Sequence, residues 1–117
     1  MSTVEKSSLE NFSRVRNLAT RKDRYMRKID LNGVGVRVRA LRESLDLTGA
    51  DFATAIGIDP SSLSKIEQGK KALRAEMAFQ IAETWSVPMD YLYRGRMVDI
   101  PQSLESKLLN RLTQGQR

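Results

Sequence analysis

The chain has 117 residues, room for one compact domain with appendages, and a formal net charge of +6. It contains no cysteine and no histidine, which excludes disulfide frameworks, thiol catalysis, the common zinc sites and any Ser-His-Asp arrangement. Its carboxylates lie scattered among basic residues with no pairing suited to acid–base work, so we expect neither an enzyme nor a metal or cofactor site, and the positive charge points to a polyanionic partner.

Aromatic residues and prolines are few, and alternating runs rich in Val, Ile and Thr are absent, so helices with little or no sheet are expected. Residues 1–32 hold 8 basic and 4 acidic side chains, residues 33–95 hold 8 of each, and residues 96–117 hold 4 and 2. This asymmetry suggests three parts: a basic N-terminal segment (1–32), a central domain (33–95) and a C-terminal helix (96–117). Any anion binding by the neutral middle part must come from local clustering. No apolar run is long enough to cross a membrane, and the N-terminus lacks an apolar core of signal type, so a cytoplasmic location is expected.

The first predicted helix runs from about Ser8 to Ile29, opened by a capping-box pattern of Ser7 with Glu10. Phe12, Val15, Leu18, Ala19, Tyr25, Met26 and Ile29 share one half of its wheel, and Arg14, Arg16, Arg21, Arg24, Arg27 and Lys28 the other. Lys22 and Leu9 break the two sides. Three uses fit this pattern: docking of the apolar stripe on the core or on a second subunit, contact of the basic face with nucleic-acid phosphates, and lying on a membrane surface. "DLNGVG" reads as a break made of turn formers, Asp30, Asn32 and two glycines.

A second helix is expected over 34–45, with Val34, Val38, Leu41 and Leu45 inward. Thr48 is a good N-cap, with Asp51 where the acidic partner of a capping box belongs, and the helix Gly49–Ile56 turns in Phe52, Ala53 and Ile56 before Gly57 ends it. Asp59 caps the next helix, Pro60 suits its first position, and it ends near Gln68 before Gly69. A helix over 74–85 turns in Met77, Ala78, Ile81, Ala82 and Trp85. A short one starting at Pro88 buries Leu92 and part of Tyr91. The tail carries a Leu104, Leu108, Leu109, Leu112 stripe.

The helix 60–68 carries little grease. Leu63 and Ile66 fall together on its wheel, whereas Pro60, Ser61, Ser64 and Lys65 fall opposite and Ser62 lies on a flank. It follows the helix 49–56 after a tight turn, and Ala53 is small where the two must approach. Such a pair presents the second helix as a ridge about as wide as a DNA major groove. Hydroxyls and one lysine on the ridge can reach base edges, and basic residues just past its end can sit on phosphates.

At these residues the chain resembles the lambda-repressor-like (Cro/C1, Xre-type) helix-turn-helix domain, an all-α five-helix fold, over residues 34–95. The matching landmarks are Gly35, Arg39, Leu41, Arg42, Leu47, Phe52–Ala53, Gly57, Ser62, Leu63, Ile66, Glu67, Gly69, Ile81–Ala82 and Val87–Leu92. The extra N- and C-terminal helices lie outside it. The resemblance implies that 60–68 is the recognition helix, with Pro60, Ser61, Ser64 and Lys65 at base-contact positions. It puts Thr48, Gly49, Ser62, Gln68, Lys70, Lys71 and Arg74 at phosphate-contact positions. It also implies a structural ion pair between Arg42 and Glu67. One position departs: the family commonly has Gln, a side-chain phosphate clamp, where this chain has Gly49. Trp85 and Tyr91 are expected in the core rather than as stacking platforms.

What the resemblance implies in sum is a bacterial or phage DNA-binding transcriptional regulator, a repressor acting as a homodimer on a pseudo-palindromic double-stranded operator. Either terminal stripe offers a dimer contact. The alternative of another class is a protein-interaction module of the same fold, an antitoxin or antiactivator holding a protein partner.

Overall fold

The computed structural model describes residues 28–115. Among them are six helices and no strand: α1 Leu31–Ser44, α2 Gly49–Ile56, α3 Pro60–Glu67, α4 Ala75–Trp85, α5 Met89–Arg94 and α6 Gln102–Gly115. The helix expected over 8–29 lies outside the described residues except for Lys28 and Ile29, which sit in irregular backbone ahead of α1.

The expected break at "DLNGVG" is corrected by α1, which begins at Leu31 and carries Gly33 and Gly35 within it. Gly35 answers a packing demand rather than a turn. A Cβ there would lie 2.5 Å from the Ile66 carbonyl oxygen and 2.6 Å from that of Glu67, so only glycine lets α1 approach the end of α3 this closely.

The middle helices start and stop by local chemistry. Thr48 Oγ1 accepts from the Asp51 N–H at 3.1 Å and opens α2. Gly57 closes it at φ +77°, a left-handed conformation glycine takes without strain. Asp59 accepts from the Ser62 N–H at 3.2 Å and opens α3, with Pro60 in its first turn. Arg74 and Pro88 are the N-cap residues of α4 and α5, each a residue or less from the predicted starts.

The core gathers Val38, Leu41, Phe52, Ala53, Leu63, Ile66, Ile81, Tyr91 and Leu92, all essentially removed from water. Phe52 stacks on Trp85 with ring centroids 4.6 Å apart and planes 9° from parallel, a core role for the tryptophan. Tyr91 is wholly buried, and its hydroxyl donates to the Arg37 carbonyl at 2.8 Å; burial pushes that phenol well above its usual range. Arg37 in turn donates to the carbonyls of Leu92 at 2.9 Å and Tyr93 at 3.1 Å, tying α5 to α1.

The tail helix joins this core. α6 packs along α1, where Ala40 and Ser44 are small and buried and Ser44 returns its hydroxyl to the Ala40 carbonyl. Ile100, Leu104 and Leu108 are buried there, Leu112 is partly buried, and Leu109 is left 47% exposed. Each fully buried leucine contributes about 1.5–3 kcal/mol. The stripe read from the sequence as a dimer contact therefore spends Leu104 and Leu108 on the chain's own α1.

Candidate nucleic-acid interface

α2 and α3 are joined by the turn Gly57–Asp59, and α3 leans on both α1 and α2. Leu63 and Ile66 point into the core, which turns Pro60, Ser61, Ser64 and Lys65 outward, all exposed. Past the end of α3, Gly69 takes φ +76° and bends the chain sharply. That bend lays Gly69 against Asn32 of α1, since a Cβ at 69 would fall 2.1 Å from the Asn32 side-chain oxygen. Lys70 and Lys71 follow, both exposed. Among the described residues, Lys65, Lys70 and Lys71 enter no ion pair, so their charge is available to an anion.

Glu67, the one acid within α3, is turned away from this face. Its carboxylate takes two hydrogen bonds from the Arg42 guanidinium, from Nε at 2.8 Å and Nη2 at 3.0 Å, with the side chains only 11% and 18% exposed. The hydrogen bond to Glu67 raises the Arg42 pKa above its ordinary value against the opposing effect of burial. Arg42 also donates to the Leu47 carbonyl at 3.1 Å. One guanidinium thus joins α1, the end of α3 and the loop before α2, and it neutralises the acid within α3.

The other predicted residues take distinct places. Thr48 uses its hydroxyl on the α2 cap. Gly49 sits at the α2 N-terminus, where an added Cβ would meet only Leu63 Cδ2 at 4.0 Å. Gln68 Nε2 donates to Ser64 Oγ at 2.9 Å. Lys71 Nζ donates to Ser62 Oγ at 3.1 Å, which ties the lysine to the flank of α3. Arg74 stands apart, lining a cleft with Ile56, Gly57 and Ile58 of the preceding turn.

Sequence reasoning missed Asp59 as more than a cap. Its carboxylate also receives the hydroxyls of Ser61 and Ser62, the latter at 2.7 Å. These bonds, Ser61 first and then the Ser62 hydroxyl and N–H, hold it well below the usual carboxylate range. The signal was present in "DPSS", because aspartate followed two and three residues on by serine favours such local bonds.

Residues 38–92 match the family model described as helix-turn-helix. Over 60 residues the chain is 35% identical to an uncharacterized transcriptional regulator in the ATPase CF(0) region of Rhodospirillum rubrum, covering 51% of this chain and 56% of the relative. Over 76 residues it is 29% identical to the antitoxin PezA of Streptococcus pneumoniae, covering 64% of this chain and 48% of that protein. The chain thus spans about half the length of these curated relatives. No solved structure gives a significant match. Among the described residues no helix is long and apolar enough to cross a membrane.

Proposed function

From the premise that residues 38–92 belong to the helix-turn-helix family, we propose that this chain is a sequence-specific transcriptional regulator, a repressor that binds double-stranded DNA and catalyses nothing. The observation that carries the reading is the outer face of α3. Two buried apolar residues anchor it, its one internal acid is turned inward onto Arg42, and Ser61, Ser64 and Lys65 are left exposed. Such a ridge enters a major groove, where hydroxyls and a lysine distinguish base edges.

In this reading Pro60, Ser61, Ser64 and Lys65 meet bases. Lys70, Lys71, Gln68 and Ser62 hold the phosphates flanking the end of α3, and Arg74 and the α2 N-terminus at Thr48–Gly49 hold those on its other side, where backbone N–H groups suit an anion. Four or five base pairs read by one helix are too few to mark a site in a genome. The protein therefore acts as a homodimer in the cytoplasm of a bacterium or on behalf of a phage, on half-sites about one helical turn apart.

The test separates base reading from phosphate holding. Lys65→Ala should lower affinity for the operator far more than for random duplex. Lys70→Ala should lower both alike and reduce the slope of log affinity against log salt by about one unit. An unchanged specificity ratio in Lys65→Ala removes the recognition assignment.

A second reading, a module that holds a protein partner, is favoured by the similarity to an antitoxin and by Phe79, which is 52% exposed on α4 in a shallow cleft shared with Ala75 and Met89. Purified chain that binds no duplex at low salt selects this reading over the first.

A further inference from the structure

The outer face of α3 is organised by its own side chains. Asp59 is ionised, and an ionised carboxylate accepts hydrogen bonds without donating any. The single hydroxyl hydrogen of Ser61 is therefore directed to Asp59 Oδ2, and that of Ser62 to Oδ1. With its hydrogen committed, exposed Ser61 presents only lone pairs outward. Ser64 has the opposite polarity. It accepts from Gln68 Nε2 at 2.9 Å, and its own hydrogen has no acceptor among the described residues. Lys65 beside it has donors only.

Major-groove edges differ in their order of donors and acceptors: cytosine N4 and adenine N6 donate, whereas guanine N7 and O6 and thymine O4 accept. Resting on the reading of α3 as the recognition helix, we propose that Asp59 is a specificity-determining positioning residue. It fixes Ser61 as an acceptor, so that the start of α3 selects a cytosine or adenine amino group, while Ser64 and Lys65 select base acceptors, with guanine the best match. Asp59 touches no base in this arrangement; it acts through the hydroxyl it orients.

The substitution that separates this role from helix capping is Asp59→Ser, with Asp59→Asn as its control. Asparagine caps a helix as well as aspartate does. To keep that cap its carbonyl oxygen takes the place of Oδ2, which accepts from both the Ser62 N–H and the Ser61 hydroxyl, so its amide meets Ser62 Oγ and Ser61 stays an acceptor. The full-length protein is used to select from a duplex pool with a randomised half-site, and the recovered sequences are read. Wild type should yield a half-site in which one position favours cytosine or adenine by roughly two- to ten-fold, the worth of one neutral hydrogen bond. Ser61→Ala should level that position alone. Asp59→Asn should keep the wild-type preference there, whereas Asp59→Ser, which keeps a cap acceptor and frees Ser61 to turn, should level it and leave the positions opposite Ser64 and Lys65 as in wild type. The lost negative charge raises affinity for every sequence and cancels from ratios between bases. Asp59→Thr, a second cap residue without the second carboxylate oxygen, should level the position too and serves if the serine variant folds poorly.

If Asp59→Ser keeps the wild-type preference at every position, or Ser61→Ala leaves that preference intact, Asp59 has no part in specificity and the recognition reading still stands. A wild-type selection with no common half-site overturns the reading itself, and the role of Asp59 with it.

Discussion

α3 and α6 are built on one plan and put to opposite uses. Each lies against α1 and anchors there through apolar residues about a turn apart, Leu63 and Ile66 in one, Leu104 and Leu108 in the other. Their outward faces differ. On α3 the exposed groups are linked in short chains, Asp59 with Ser61 and with Ser62 and Lys71, and Gln68 with Ser64. On α6, Thr113 returns its hydroxyl to the Leu109 carbonyl of its own helix. Burial of two leucine-like side chains therefore does not distinguish a reading helix from a buttress. In the proposed reading, the ordering of polar groups on the free face does. α1 serves both neighbours by being small where each approaches, at Gly35 toward α3 and at Ala40 and Ser44 toward α6.

The contrast breaks most sharply at Glu67. Removing its carboxylate leaves the half-buried Arg42 guanidinium with the Leu47 carbonyl alone among the described residues. Glu67→Ala should cost about 3 kcal/mol in denaturant unfolding, as for a buried pair that loses one member. A loss under about 1 kcal/mol would put the pair in the class of surface ion pairs.

Leu108→Ala tests the buttress. The side chain is fully buried between α6 and α1, and its truncation should cost about 2–3 kcal/mol through lost burial and the cavity left behind. Operator affinity of the folded protein should stay at the wild-type level, which sedimentation and DNA titration at low temperature would show together. A fall in dimer mass instead would place the chain-to-chain contact on α6.

The smallest effect sharpens the reading side. Gly49 has ordinary helical backbone and open space at its Cβ. Gly49→Gln should raise stability by about 0.5 kcal/mol, since glycine is a poor helix residue. It should also tighten DNA binding several-fold by restoring the side-chain clamp on a phosphate. Added stability without added affinity would remove the α2 N-terminus from the DNA backbone.

Much of this architecture was legible in particular residues. Thr48 before "GAD" and Asp59 before Pro60 mark helix starts through bonds that reach two or three residues, and Gly57 marks a stop through its own φ. The spacing of Phe52, Ala53 and Ile56, and of Leu63 and Ile66, sets which side of each helix is inward. The candidate face followed directly, because residues opposite two buried ones on a short helix have nowhere to go but outward. Gly33 and Gly35 misled, because glycine is as common in turns as at close contacts and only the neighbour tells which.

The amino-acid sequence by itself determined what depends on near neighbours along the chain: an all-helical domain, its caps, its inward faces and the exposed basic ridge. Tertiary structure alone decided what depends on partners far along the chain. It placed the carbonyls of Ile66 and Glu67 over Gly35, put the Tyr91 hydroxyl and Arg37 together across 54 residues, and laid Leu104 and Leu108 on α1 rather than leaving them for a second chain. The physical reason is range. A cap or a helical period is set by bonds a few residues long, whereas a packing contact is chosen only when two distant surfaces compete for the same water-excluded space.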